Sequence, residues 1–425
     1  MSLENDRPES FLGMMMALEG IRDGYCLVHG PTGCKYYPAS VAESRFPMRG
    51  EEAQTRNFFS FASRYFFSQP RMPCTYLDMG RFVTGGGDRL EELYSKIVSL
   101  GPSIISMVNS PGASLVGEDL TSVGGEIPTV RIDHAEYSGT CSDGFQDAIL
   151  EVLKVVKPEL TERNNKVNLV GLSILHLNWE DIIEDLGSLL GACGIEINTV
   201  IGAGWTVEDI RNSANAALNV LVYPEYGDRV AEFYRDSYGI PFVDAGVPIG
   251  FSNLEKWILQ TCEALSVSPE PALDRIRAAR RKAAKSIGLM ESYHMLPKGH
   301  TFSLMCDGSL ALAATEFLYN YLGMIPVAVT CANGRDWEKR TLQFIEDRNI
   351  PCAEDALHTE AEIMLTSGSI GCSCVARGLV KDYVEMESPG TKYVCTRPEP
   401  PIGLEGTMIL IDRVLNIVAS RQRFL

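Results

Sequence analysis

The stretch YCLVHGPTGCKYYPASVAE, Tyr25 to Glu43, joins an apolar run to a helix-forming one across HGPTGC, His29 to Cys34. Tyr25 to Val28 read as a buried strand, and the residues after Cys34 can open a helix. Gly30 and Gly33 relax the backbone where a turn needs positive φ, and Pro31 stiffens the bend. Such a junction is either a tight turn around a buried thiol or a fixed loop that offers Cys34 to a metal. At a helix N-terminus the dipole and free N–H groups favour thiolate. A thiolate is what an iron–sulfur cluster takes as ligand. On these six residues both readings stay open.

Downstream, the strand–loop–helix unit recurs. SIISMV (Ser103 to Val108) reads as a strand, NSPGAS as a turn and LVGEDL as the start of a helix. KVNLVGLSIL (Lys166 to Leu175) reads as a strand before the amphipathic WEDIIEDLGSLLGACG. EINTVI (Glu196 to Ile201) is the next strand, and ALNVLVY (Ala217 to Tyr223) precedes a helix from about Gly227 to Tyr238. TFSLMC (Thr301 to Cys306) leads to SLALAATEFLYNYLG and then to PVAVTC (Pro326 to Cys331). This alternation predicts an α/β chain with parallel sheets and helices on both faces.

Ile-Pro pairs at Ile127, Ile240 and Ile350 fall at near-equal intervals where a helix should give way to a strand. A further pair at Ile325 is off the interval. The expected organisation is three doubly wound Rossmann-like domains around a central cleft: 1–160 with the cluster-binding loops, 161–297 ending in a basic helical connector, and 298–425. In such sheets ligands bind beyond the carboxyl ends of the strands. HGPTGC, NSPGAS, the loop from Cys306 to Gly308 and TSGSIGCSC are the loops of that kind.

With 425 residues, 45% of them hydrophobic, the chain can bury several cores. A formal charge of -17 argues against nucleic acid or an anionic membrane surface as partner. MSLENDRPES has no apolar signal region, and no run approaches a membrane span. The expectation is a soluble cytoplasmic protein. Twelve cysteines dispersed over this length read as buried thiols with a few ligands, not as a disulfide framework. P-loop, GxGxxG, GxSxG, HExxH and CxxC signatures are all missing, so the chain should not hydrolyse ATP by a P-loop or bind a dinucleotide in the standard turn.

From Glu9 the chain reads ESFLGMMMALEGIRDGYCLVHGPTGC, with Leu12-Gly13 ahead of the first strand. MPCTYLDMGRFVTGGGDRLEEL carries Cys74, Gly85 and Gly86. SPGASLVGEDL runs from Ser110 to Leu120, and YVCTRPEPPIGLEGTMILIDRVLN lies near the C-terminus. This combination resembles the nitrogenase component 1 family, the molybdenum–iron protein family, and is closest in pattern to its β-type chains. Those chains offer three cysteines to an interfacial cluster; at the three positions stand Glu9, Cys34 and Ser110. The resemblance therefore implies not a bridging P-cluster but a simpler [4Fe–4S] cluster. Cys34 would be one ligand, a second subunit would supply others, and Ser110 or Glu9 could give an oxygen. Cys26 and Cys74 are further candidates, each with packing as the alternative. Gly30 and Gly33 shape the loop.

The α-type cofactor hangs from a cysteine and a histidine. The loosely matching VYPEYGD (Val222 to Asp228) has no cysteine, and no histidine follows His358. Cys372 and Cys374 form a CxC that could bind metal, cycle as a redox pair or simply fill a turn. His29 could bond backbone carbonyls of its turn, His134 and His176 lie on strand-end loops, and Glu118 and Asp119 could cap a helix. The resemblance implies a catalytic-component subunit of a nitrogenase-like oxidoreductase. It would assemble with a homologous subunit, as a homodimer or with an α-type partner in a heterotetramer. A separate ATP-hydrolysing iron–sulfur reductase would feed it electrons through the interfacial cluster. Two alternatives are a cofactor-assembly scaffold and a metal-free small-molecule-binding protein.

Overall fold

Three short runs of apolar residues, β1 (Gly24–His29), β2 (Ile104–Asn109) and β3 (Thr129–Ile132), line up in parallel in that order. The computed structural model describes residues 9–43, 72–133, 139–291, 296–387 and 396–422. A second sheet has β4 (Val167–Val170), β5 (Ile197–Ile201), β6 (Leu218–Leu221) and β7 (Phe242–Val243) in the order β5-β4-β6-β7. A third has β8 (Thr301–Cys306), β9 (Ile325–Cys331), β10 (Ala361–Ser367) and β11 (Val380–Glu387) in the order β11-β10-β8-β9. Every pairing is parallel. β2, β4 and β6 are buried at every position, as strands covered on both faces must be. The α/β class expected from the alternation is the one found.

The Ile-Pro pairs mark sheet edges. Pro128 precedes the edge strand β3 and its carbonyl accepts from Ile105 N at 3.0 Å. Pro241 precedes the edge strand β7 and accepts from Asn219 N at 2.9 Å. Past Ile350-Pro351, Ala353 bridges to Ala328 on the outer side of β9. Proline lacks a donor for the ladder and so is confined to such places.

Helices cover the sheets. α1 (Ser10–Glu19) and α2 (Thr32–Glu43) flank β1, followed by α3 (Met79–Thr84), α4 (Gly87–Val98), α5 (Pro111–Val116) and α6 (Cys141–Val156). Next come α7 (Trp179–Ala192), α8 (Val207–Asn212), α9 (Asp228–Tyr238), α10 (Phe251–Leu265) and α11 (Glu270–Glu291). α12 (Gly308–Leu322), α13 (Arg335–Glu346), α14 (Gly368–Ala376) and α15 (Gly403–Gln422) complete the order. α6 packs on α1 and β3, and also on α8 and α9. α15 returns to lie on α7, α10 and α11 as well as β11. One apolar cluster accordingly runs through all three sheets, with smaller clusters under α4 and α14. No helix among the described residues is long and apolar enough to cross a membrane.

Three local expectations are corrected. The strand read as ending at Leu175 stops at Val170, because Gly171 turns at φ +84 and Ser173 N donates to His176 Nδ1 at 2.9 Å. LVGEDL does not start a helix. α5 starts at Pro111 with Ser110 as its cap and ends at the left-handed Gly117. Cys372 and Cys374 sit inside α14, not in a loop. Two residues apart on a helix they point differently: Cys372 is exposed beside the Tyr383 hydroxyl at 3.2 Å, and Cys374 is buried.

Candidate functional site

The ends of β1 and β2 bring HGPTGC and the Ser110 loop together. β1 pairs with β2 through His29 opposite Asn109, and Ser110 N donates to the His29 carbonyl at 2.9 Å. Ser110 Oγ caps α5 by accepting from Ala113 N at 3.3 Å. Residues Pro73 to Leu77 add a third side. Val28 bridges to Cys74, Gly30 N donates to Thr75 Oγ1 at 3.0 Å, and Leu77 N donates to the Gly30 carbonyl at 3.0 Å. Gly30 is required by space: a Cβ there would lie 2.0 Å from Ser110 Oγ and 2.5 Å from Ser110 Cβ. Neither Gly30 nor Gly33 has positive φ, which corrects the reading of both as turn glycines. A Cβ on Gly33 would meet nothing within 4 Å, so that residue leaves open space beside Cys34.

Cys34 is half-buried in the first turn of α2. Burial pushes its thiol above the ordinary value, and a hydrogen bond with Ser110 only partly offsets this. Desolvation disfavours the charged form and so opposes the lowering expected at a helix N-terminus. Cys74 is fully buried, and its Sγ donates to the Gly30 carbonyl at 3.2 Å. Burial pushes it up to about 11, against the pull of Lys35, and the charge of Cys34 acts in the same upward direction. Lys35 is itself fully buried. Cys34, Cys74, Ser110 and Lys35 thus form one group.

Cys26 does not belong to it. The side chain is fully buried toward α1, its Sγ 3.9 Å from Met15 Sδ. Glu9 is exposed at the start of α1, bridged to Thr140, and no hydrogen bond among the described residues joins it to Cys34. His29 bonds a carboxylate instead of a carbonyl: its Nε2 is 3.3 Å from Glu118 Oε2. Glu118 also accepts from Gly86 N at 3.0 Å, so it caps α4 and not its own neighbourhood. Burial lowers the pKa of His29 despite that carboxylate. His134 lies outside the described residues. Replacing Gly30 by alanine should cost about 2 kcal/mol or more, the upper range for overpacking, because Ser110 is held as a cap. Gly33→Ala should leave stability the same or raise it by up to about 1 kcal/mol, since alanine is the better helix former. Urea midpoints of the two variants check the contrast.

A second polar centre lies at the strand ends of sheets two and three. His176 follows β4, Tyr223 to Tyr226 follow β6, Asp307 follows β8, Asn333 follows β9 and Glu387 ends β11. Asn333 is the knot: its amide nitrogen donates to Asp307 Oδ1 and, at 3.1 Å, to the Tyr226 hydroxyl, while its oxygen accepts from Ser142 N of α6 at 3.1 Å. Glu387 accepts from Asp307 N, and Glu225 Oε1 accepts from Ser309 N at 3.0 Å. His176 stacks on Tyr223 at 3.9 Å between ring centres, with Nε2 3.9 Å from Asp307 Oδ2. Burial raises all three carboxyls, and each is raised further or held by its neighbours. The loop from Cys306 to Gly308, one of the strand-end loops singled out in the sequence, carries Asp307 of this centre. The convergence of Glu225, Asp307 and Glu387 was not legible there; the one signal available is that each lies at or just beyond a strand's carboxyl end.

Three parallel sheets with polar centres at strand ends define an α/β protein of the doubly wound kind. Residues 10–419 match the family described as Nitrogenase component 1 type Oxidoreductase, and the chain belongs to that family. Among its relatives is a light-independent protochlorophyllide reductase chain of Synechococcus sp. (strain CC9605), 27% identical over 235 residues. That match takes in 52% of this chain and 43% of the relative, so it spans less than half of the relative's length. The corresponding chain from Rhodopseudomonas palustris (strain TIE-1) is 24% identical over 430 residues, 94% of this chain and 74% of the relative. The solved structure "Nitrogenase Cp1 at pH 6.5" has the same fold, with a TM-score of 0.78, 18% identity, and coverage of 98% of this chain and 92% of that one.

Proposed function

We propose that the chain is a subunit of the catalytic component of a nitrogenase-like oxidoreductase, with Cys34 as its ligand to a [4Fe–4S] cluster shared across a subunit interface. The observation that carries this is the setting of Cys34: half-buried, beside Ser110, with open space at Gly33. Large apolar side chains stand exposed on the helices of this region: Tyr36 and Tyr37 on α2, Met79 and Val83 on α3, and Leu115 on α5. Exposed apolar side chains of this size are what a subunit interface would cover.

The donor set suits a shared cluster. One half-buried thiol is offered outward, while Cys26 and Cys74 are sealed in the core. Among the described residues no group of three or more His, Cys, Asp or Glu side chains could hold a metal ion, so further ligands would come from a second chain. That chain is a second copy or an α-type partner. A separate ATP-hydrolysing iron–sulfur reductase would deliver the electrons. When bound, the cluster supplies one-electron transfer. The chain's own residues hold the thiol in place through the Gly30–Ser110 contact, set the buried Lys35 where its charge acts on Cys74, and exclude water from the inner side of the loop.

Anaerobic co-purification with candidate partners should give a brown complex with iron and acid-labile sulfide. Cys34→Ala should lose most of that iron, while Cys26→Ala should keep it. A colourless, iron-free complex, or equal iron in the Cys34 variant, would sink the reading.

A further inference from the structure

β8 and β9 each end on a cysteine, and their register sets the two opposite each other: Met305 pairs with Thr330, and Cys306 pairs with Cys331. Neighbouring strands lie about 4.8 Å apart. A disulfide spans Cα atoms about 4.4–6.8 Å apart, so the strand spacing falls inside that window. The two side chains also share a face of the sheet. Phe302, Leu304 and Cys306 of β8 belong to the large core cluster, Val329 of β9 belongs to it as well, and Cys331 packs against it. Met305 and Ala328 belong instead to the small cluster under α14. Alternation along each strand therefore turns both thiols the same way.

Both are free thiols, and they differ in access. Cys306 is 2% exposed, whereas Cys331 is half-buried. Burial, and then the negative groups nearby, push both thiols above their ordinary values, and Cys331 is among the groups that act on Cys306. Each rests as S–H, so attack on an outside oxidant is slow. Selectivity comes from reach: once Cys331 carries a leaving group, Cys306 is the thiol set directly across from it. The place is not an arbitrary one. Asp307 follows Cys306, Ala332 and Asn333 follow Cys331, and all three line the cavity of the second polar centre. The hydrogen bond from the Asn333 amide to Asp307 joins the same two strand ends.

We propose that Cys306 and Cys331 are a redox-active dithiol, closed to a disulfide by a low-molecular-weight disulfide. Cys331, the more accessible thiol, attacks one sulfur of the reagent and expels the other as a thiol. Cys306 then attacks Cys331 Sγ in the mixed disulfide and expels the second half of the reagent. The reagent S–S bond breaks and the protein S–S bond forms. Two electrons and two protons pass from the protein to the reagent, which leaves as two thiols. The new bond ties β8 to β9 behind the cavity and encloses α12. The inference stands apart from the reading of the Cys34 loop, since the two sites share no residue.

The test uses the full chain, reduced, freed of reductant without air and incubated folded with 2-hydroxyethyl disulfide. Remaining thiols are alkylated in denaturant before digestion. Trypsin leaves both cysteines on one peptide, 299–335, because no Lys or Arg lies between them. Cleavage after Glu316 divides that peptide, and its halves should stay joined until dithiothreitol is added. The joined pair should exceed any link from Cys331 to another cysteine at least tenfold. In Cys306→Ser the halves should part, with Cys331 held at the mixed disulfide. In Cys331→Ser the halves should part with Cys306 alkylated, and this half-buried position serves if Cys306→Ser does not fold. Both cysteines recovered alkylated from the folded parent, Cys331 stopping at the mixed disulfide in the parent, or Cys331 bonded mainly to another cysteine each overturns the proposal.

Discussion

Gly13→Ala should cost a large share of the fold's stability. α1 and α6 cross so closely that a Cβ on Gly13 would lie 1.9 Å from the Cys141 carbonyl oxygen, 2.8 Å from its carbon and 2.9 Å from Phe145 N. All three are backbone atoms, so no rotamer change relieves the clash. The crossing is tight from the other side as well, since a Cβ on Gly144 would lie 2.0 Å from the Ser10 carbonyl oxygen. Separating the helices would open the core around Met14, Met15, Ile149 and Val152. Overpacking of movable side chains costs about 1–3 kcal/mol. Immovable backbone puts this variant at or beyond the top of that range, a large share of a typical stability of about 5–15 kcal/mol. Soluble yield and the urea midpoint measure it, with Gly33→Ala as the matched control. A midpoint for Gly13→Ala within error of the parent would mean that the crossing is not as close as described.

The second large effect is a loss of stability as pH rises. Burial lifts Asp307 from the ordinary 3.8 to about 6, Glu225 from 4.5 to about 7, and Glu387 well above the usual range. Asp185, buried under α15, rises to about 6 for the same reason. Groups with raised folded pKa values bind more protons in the native state than in the unfolded one. Their contribution is complete below about pH 4 and is lost as pH climbs through about 6 to 7 and beyond. Each unit of rise corresponds to about 1.4 kcal/mol, and the clustered acids titrate as a set. The urea midpoint should therefore fall between pH 5.5 and 8.5. Asp307→Asn should flatten that fall and be the more stable protein at the alkaline end. A midpoint that rises over this interval, or a variant with the parent's slope, would contradict the assignment.

Much of this architecture is legible in the chain. SIISMV, EINTVI, TFSLMC and PVAVTC became β2, β5, β8 and β9 within a residue or so, because short runs rich in β-branched and apolar residues between turn signals fit a largely buried strand. The edge role of the Ile-Pro pairs follows from proline's missing donor. KVNLVGLSIL misled because apolar residues beyond a strand's end can be buried without being paired. Leu172, Ile174 and Leu175 are in the core although the ladder stops at Val170.

The motif around Cys34 is contiguous, so a linear reading could find the thiol, its loop and its helix. The order of amino acids was enough to establish the α/β class, the family resemblance and the presence of one rather than three cysteines at the expected cluster positions. Packing in three dimensions set the rest: Cys34 faces Ser110 while Cys26 faces Met15, His29 pairs with Glu118, and Asp307 and Glu387 line one cavity with Glu225 near enough to act on both. Hydrogen bonds and burial along one segment are local and leave a pattern in sequence. Desolvation and charge act through space between residues the chain holds far apart, so only their packing fixes which thiol is half-buried and which acids are pushed up by burial.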